Sequence, residues 1–184
     1  MKIILARNSP RRKELLEKSG LTFSVIPSTV EENISKSLPP VEYAKTLALI
    51  KAQDVFSKYN NIVIGADTIV VFDGKIIVKP SSEEDAFNTL KMLSGKTHQV
   101  ITGYAVLSNN LTINDYSVTE VTFNELSSAL ICDYIKNAKP LDKAGSYGIQ
   151  DGYPLVKYYE GDYDNIVGLP TSKILEILRS LYET

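Results

Sequence analysis

Three observations predict an α/β fold built on a twisted mixed sheet flanked by helices. Helical and strand patterns alternate along most of the chain. Several strands nevertheless fall in hairpins, as around Asp73-Gly74 and Asn109-Asn110, so part of the sheet is antiparallel. Residues 61–66 form an apolar run without alternation, the pattern of a strand covered on both faces. The 184 residues suit one domain over 1–184, or two closely packed lobes.

The elements follow in order. A first strand covers residues 2–6. Ser9 then caps a helix whose first position is Pro10, where a missing N–H costs nothing, and Gly20 stops it. A short strand at 23–26 leads into a polar loop with Glu31 and Glu32. Pro39-Pro40 precede a long helix at about 41–58, striped by Ala44, Leu47, Ala48 and Val55. The buried strand at 61–66 is followed by a hairpin of 69–72 and 75–78. Ser82 caps a helix that ends at Gly95. Strands at 98–107 and 113–123 come next, then a helix at 128–138 before Pro140. A loop, a strand pair around Gly161-Asp162 and a helix after Pro170 complete the prediction.

Composition excludes several classes. A net charge of −2 and a pI near 5.5 argue against a general nucleic-acid binder. No apolar run is long enough to span a membrane, and Arg7 interrupts the N-terminal apolar stretch before it could act as a signal peptide. The single cysteine, Cys132, allows no intrachain disulfide and suits a cytoplasmic location. It lies off the Leu130, Ile131, Tyr134, Ile135 stripe of its helix and reads as incidental. A homodimer is left open.

Four features look out of place for a purely structural role. Arg11 and Arg12 stand in the first turn of a helix, where the positive end of the dipole repels them. They are either solvated or half of an anion site made with the free backbone N–H groups. Lys51 falls on the apolar stripe of its helix, so it snorkels past the core edge or points into a cleft. Asp67 closes the apolar strand, where open α/β sheets place ligand crevices, although an Asp there can also cap a turn. Lys79 precedes Pro80 at the end of the hairpin. If Glu32, Lys51, Asp67 and Lys79 converge beside the arginines, two carboxylates and several cations suit a metal-bound polyphosphate.

Other motifs fail. Ser94-Gly95-Lys96-Thr97 has the tail of a P-loop, but Leu90 stands where the first glycine is required. His98 is the only histidine, which removes histidine-rich metal sites, and no nucleophile elbow accompanies it.

Six segments occur in register over essentially the whole chain: Leu5-Ala6-Arg7-Asn8-Ser9-Pro10-Arg11-Arg12, Gly65-Ala66-Asp67-Thr68, Lys79-Pro80, Leu93-Ser94-Gly95-Lys96-Thr97-His98, residues 141–150 (LDKAGSYGIQ) and Val167-Gly168-Leu169-Pro170. Together they resemble the Maf family of nucleoside triphosphate pyrophosphatases. The resemblance implies an inosine-triphosphatase-like fold with a cleft between two lobes. It also implies hydrolysis of a nucleoside triphosphate to monophosphate and pyrophosphate with a divalent metal, Mg²⁺ or Mn²⁺.

By the same resemblance, Asp67 is the general base, and Arg11, Glu32, Lys51, Lys79 and Gln150 line the site. Glu32, with Asp67, is the expected metal ligand; Arg11, Arg12, Lys51 and Lys79 are expected to hold phosphates. The family's dTTP- and UTP-acting subgroup carries Arg, Thr and Gln where this chain has Arg11, Thr68 and Gln150. Gln150 suits the edge of uracil or thymine, provided that its amide is held, with Arg11 as the expected holder. Two departures stand out. Arg7 replaces a serine of the phosphate loop, and Asp151 replaces the glycine after Gln150, leaving Gly152 to take the turn. The competing class is a nucleotide-binding regulator of cell division without turnover, because the family is also associated with inhibition of septum formation. A purine triphosphatase is a third reading, on fold analogy alone.

Overall fold

The computed structural model describes residues 2–182. Seven strands form one sheet: β1 (Ile3–Leu5), β2 (Phe23–Val25), β3 (Ile62–Phe72), β4 (Lys75–Ile77), β5 (Thr97–Leu107), β6 (Thr112–Phe123) and β7 (Val156–Glu160). The order is β2-β1-β3-β5-β6-β7, with β4 added to β3. β1 runs parallel to β2 and β3, and every other pairing is antiparallel. The helices are α1 (Pro10–Lys18), α2 (Pro40–Tyr59), α3 (Glu83–Leu93), α4 (Ser128–Ala138), α5 (Tyr163–Val167) and α6 (Thr171–Tyr182). No described helix is long and apolar enough to cross a membrane.

Helix α2 covers one face of the sheet. Its Ala52 and Val55 meet Ile4, Val63, Ala105 and Leu107, while Ala44 meets Ile69, Val71 and Ile101. The opposite face carries two cores. Ile3, Leu5, Ile62 and Ile64 pack with Leu16 of α1 and Ile174 and Leu178 of α6. Val70, Val100 and Val121 pack with Leu90 and Leu93 of α3 and Ile131 and Tyr134 of α4.

Two glycines set how closely α2 approaches. A Cβ on Gly65 would lie 2.3 Å from the Ala48 carbonyl oxygen. One on Gly103 would lie 2.3 Å from the Ala44 carbonyl. Gly103 is the partner of Asp67 across the β3–β5 ladder. The missing side chains therefore bring the helix down directly over Asp67.

Most of the sequence-derived elements are present, with two corrections. Asp67 does not end a strand: β3 continues unbroken through it to Phe72. The two predicted strands are one, because β5 pairs with β3 all the way from Val63 to Val71. The strand pair around Gly161-Asp162 is also absent. β7 pairs with β6, and Asp162 then caps α5 by accepting from the Asp164 N–H. Gly161, at φ +127°, makes that change of direction.

Sheet pairing leaves a gap beside Asp67. β1 pairs with β3 only as far as Ile64, and β4 begins to pair at Val70. Among the described residues, no strand occupies that edge of β3 from Gly65 to Ile69. Side chains from both faces of β3 reach the gap.

Gly103→Ala is expected to destabilise the fold by about 3 kcal/mol or more, because the added methyl meets backbone and not a movable side chain. The midpoint of urea unfolding measures it. An unchanged midpoint would mean that α2 does not sit this close to the sheet.

Candidate active site

A cavity of about 570 Å³ opens at the gap in the sheet. One wall is the turn from β1 into α1, residues 7–12. Asp67, Thr68, Ile69 and Val70 form its floor, and the hairpin segment 76–79 and residues of 142–150 close the other sides. Arg7, Arg11, Arg12, Lys79 and Lys143 bring positive charge to it, and Glu32, Asp67 and Asp142 bring carboxylates.

The turn into α1 forms as its residues dictate. Ser9 is extended and its hydroxyl accepts from the Arg12 N–H, with Pro10 at the first helical position. No acidic residue occupies the first turn, so the dipole's positive end is left for an outside anion.

Lys51 neither snorkels nor opens on the cavity. It is 4% exposed, and its ammonium donates to Asp67 Oδ1 at 2.6 Å and lies 2.8 Å from Glu32 Oε1. Arg7 approaches the same two oxygens, at 3.2 Å and 3.7 Å. Two carboxylates and two cations thus make one neutral cluster, against the expectation that Lys51 faces phosphate. Partial burial pushes the Glu32 carboxyl up, but the hydrogen bond and charge of Lys51, with Arg7 and Lys79, outweigh it and hold Glu32 below the usual range. The described contacts of Asp67 all fall on Oδ1.

Arg12 is also buried. Its Nε donates to the Gly168 carbonyl at 2.6 Å and its Nη2 to Thr68 Oγ1 at 2.9 Å. The Thr68 hydroxyl meets Thr102 Oγ1 at 2.8 Å, and Thr102 donates to the Asn165 carbonyl. Burial, then repulsion from Arg7, lowers Arg12 to about 10, so it stays charged at neutral pH. Arg11 lies at the rim, 3.8 Å from Asp142 and not on Gln150. Lys79 borders the cavity and makes no ion pair among the described residues. Gln150 borders it from a 3₁₀ turn, Ile149–Asp151.

Three contributors escaped the sequence reading. Thr102 and Asn165 are polar residues in apolar surroundings, a weak signal. Gly168 was visible in its motif but without a role; the structure shows that its carbonyl fixes Arg12 and that its φ of +133° favours glycine.

The metal question turns on donor chemistry. Among the described residues, no group of three or more His, Cys, Asp or Glu could hold a metal alone. Glu32 and Asp67 do offer two hard oxygen ligands at the cavity. That fits Mg²⁺ or Mn²⁺, which bind through one or two carboxylates and complete their shells with water and substrate phosphates.

The family model for Maf-like protein matches residues 2–181. The chain belongs to the Maf family. It is similar to a dTTP/UTP pyrophosphatase of Bacillus cereus, with 49% identity over 97% of this chain and 94% of the relative. A Bacillus anthracis protein of the same name is 48% identical over the same shares. Among solved structures, a nucleoside-triphosphatase / dITP/XTP pyrophosphatase from Mycobacterium abscessus aligns over 97% of this chain and 94% of its own, with TM-score 0.48 and 13% identity. The Maf motifs now have physical content. Ser9-Pro10 shapes a helix start, Gly65 admits α2, and Gly168 anchors Arg12.

The Maf motif histidine is structural. His98 Nε2 is 2.7 Å from the Tyr147 hydroxyl, and its ring packs edge-on against Phe123 and Tyr147. Burial lowers His98 to about 4. Between pH 6.5 and 4 the unfolded chain therefore takes up a proton that the folded chain refuses, and stability falls as pH falls through that window. The contribution approaches roughly 3 kcal/mol near pH 4. The imidazole proton shifts of the only histidine should stay flat from pH 8 to about 5 by NMR. Ordinary titration near 6.5 would contradict this burial.

Proposed function

We propose that this chain hydrolyses dTTP and UTP, and modified pyrimidine triphosphates of the same base edge, to the monophosphate and pyrophosphate. The observation that carries the reading is the Asp67–Glu32 pair, tied by Lys51 and Arg7 at the floor of a cation-walled cavity. The names of the Bacillus relatives support the nucleotide class. A pure nucleotide binder has no use for two carboxylates facing a polyanion. The reading treats residues 1–184 as one domain acting in the cytoplasm on a small-molecule nucleotide, without a nucleic-acid or membrane partner.

In this reading the triphosphate lies across the start of α1. Backbone N–H groups and Arg11 hold phosphate oxygens from one side, and Lys79 holds them from the other. Arg12 is already spent on Gly168 and Thr68, so it contributes a fixed positive field and positions Thr68. A water attacks the α-phosphorus, and the bond from that phosphorus to the oxygen bridging to the β-phosphate breaks. Pyrophosphate leaves with that oxygen, and the water proton passes to Asp67 and then to solvent. Lys51 and Arg7 hold the carboxylate through Oδ1 and keep it aimed, which leaves Oδ2 for the water. A bound Mg²⁺ or Mn²⁺, held by Glu32 and Asp67, would neutralise the triphosphate and its leaving group.

In this reading the Gln150 amide, at the border of the cavity, meets the base, and Thr68 is small enough to admit a pyrimidine. Uracil and thymine present an N3–H between two carbonyls; cytosine presents an acceptor at N3 and an amino group. A site matched to the first leaves polar groups unpaired with the second, at roughly 1–3 kcal/mol per mismatch.

Two outcomes test this reading. Asp67→Asn should cut kcat at least about 100-fold with the fold intact by circular dichroism; near-normal turnover in the folded variant removes Asp67 from the chemistry. In a panel with Mg²⁺ or Mn²⁺, read by pyrophosphate release, dTTP and UTP should exceed CTP, ATP and GTP in kcat/KM by about tenfold or more. Gln150→Ala should collapse the UTP preference over CTP. Equal wild-type efficiencies would overturn the base assignment.

A further inference from the structure

We infer that Asp151 is a positioning residue for base selection: its carboxylate locks the turn that carries Gln150 and withdraws the charge of Lys143 from the cavity. The inference rests on the assignment of Gln150 to the base, and it concerns a position where this chain departs from the glycine expected by resemblance.

The wall from 140 to 151 has no strand to support it. It consists of three 3₁₀ turns, Pro140–Asp142, Ala144–Ser146 and Ile149–Asp151, with Gly145 and Ser146 at positive φ. Each turn is closed by its own backbone bond, Lys143 N–H to the Pro140 carbonyl, Ser146 N–H to that of Lys143 and Asp151 N–H to that of Gly148, and side chains tie the turns to the core. Asp151 supplies two of those ties. Its Oδ2 accepts from the Tyr134 hydroxyl at 2.6 Å and from Lys143 Nζ at 2.7 Å. The Tyr134 oxygen in turn accepts from the Gly148 N–H at 2.9 Å. Tyr134 is wholly buried on α4, so it is a fixed post. One carboxylate therefore joins residue 143 to residue 151 and fastens both to a helix in the core. Gln150 sits inside that loop of contacts, between Gly148 and Asp151.

Space confirms how closed the arrangement is. A Cβ on Gly148 would lie 2.8 Å from Asp151 Oδ2. Asp151 itself is not at positive φ; Gly152 takes that conformation, at +79°. The aspartate thus adds its ties without backbone strain. With glycine at 151, the Tyr134 hydroxyl and Lys143 would both lose this acceptor, and the lysine, which borders the cavity, would present a free ammonium.

The consequence is a division of labour. Fastening the turn fixes the position from which Gln150 presents its amide, and that position is what the uracil-over-cytosine choice reads. Pairing Lys143 affects the phosphates of every nucleotide alike. The ratio of kcat/KM for UTP to that for CTP cancels the second effect and reports the first.

Asp151→Asn keeps the size of the side chain and removes its charge. The UTP-to-CTP ratio should fall at least fivefold, chiefly through a higher KM for UTP, with kcat within about threefold. Tyr134→Phe removes only a hydroxyl and should lower the ratio in the same direction by a smaller factor; it decides the matter if Asp151→Asn does not fold. A ratio unchanged within twofold in the folded variants, while Gln150→Ala abolishes the preference, overturns the role of Asp151 and leaves Gln150 in place. A preference that survives Gln150→Ala removes the base contact and the role of Asp151 with it.

Discussion

The close seating of α2 on the sheet is the constraint on which the site depends. Gly65 and Gly103 give the helix backbone room to descend, and Ala44, Ala48 and Ala52 present the smallest surface to meet them. At this separation the Lys51 ammonium reaches Asp67 from above and stays 4% exposed. A buried ion pair costs desolvation that geometry must offset. Here the offset comes from two carboxylates around one ammonium and a guanidinium beside them. A larger residue at either glycine would lift the helix, and the charge cluster would lose its closest contact before the core lost much apolar burial.

The second constraint is topological. β1 leaves β3 at Ile64 and β4 joins it at Val70, so a strand at the centre of the sheet has one open stretch. This explains how Asp67 and Thr68, whose side chains alternate between faces, border one cavity. Asp67 belongs to the α2 face, with Lys51. Thr68 belongs to the other, with Arg12, Thr102 and Gly168. Each face supplies its own scaffold, and the gap opens both to one cavity. The two cores on the second face then stand on either side of the cavity, which is the cleft between lobes in physical terms.

Local signals were legible in the sequence because they are local. Ser9 and Ser82 accept backbone N–H bonds at their helix starts, and Gly20 and Gly95 take the left-handed conformation at the ends. Asp73-Gly74 turns the hairpin with both residues at positive φ. The continuity of β3 through Asp67 was not legible, because a carboxylate inside a strand reads as its end unless the partner ammonium is known, and Lys51 is sixteen residues away. The short α5 was hidden for a related reason: Gly161-Asp162 signals a turn, and the element after a turn depends on packing. In the site, Asp67, Lys51 and Glu32 could be named individually. Their hydrogen-bonding order could not, since a stripe lysine gives no hint of which acceptor takes it.

The departures from the Maf pattern show how the cavity's charge is distributed. Arg7 stands where a serine is expected and lies against Asp67 and Glu32; Asp151 stands where a glycine is expected and lies against Lys143. Each adds a charge, and each is met by opposite charge within the wall. One addition is positive and the other negative, so together they leave the net charge of the wall unchanged while each ties separate segments together. Of the wall cations, Arg7 and Lys143 are engaged at short range, as is Lys51 beneath the wall, and Arg12 is held by neutral acceptors. Arg11 has only an exposed aspartate at 3.8 Å, a contact that solvent weakens greatly. The charge open to an incoming anion is thus concentrated in Arg11, Lys79 and the first turn of α1, three features on opposite sides of the gap. In the proposed function, such an arrangement suits a chain of phosphates better than a single phosphate.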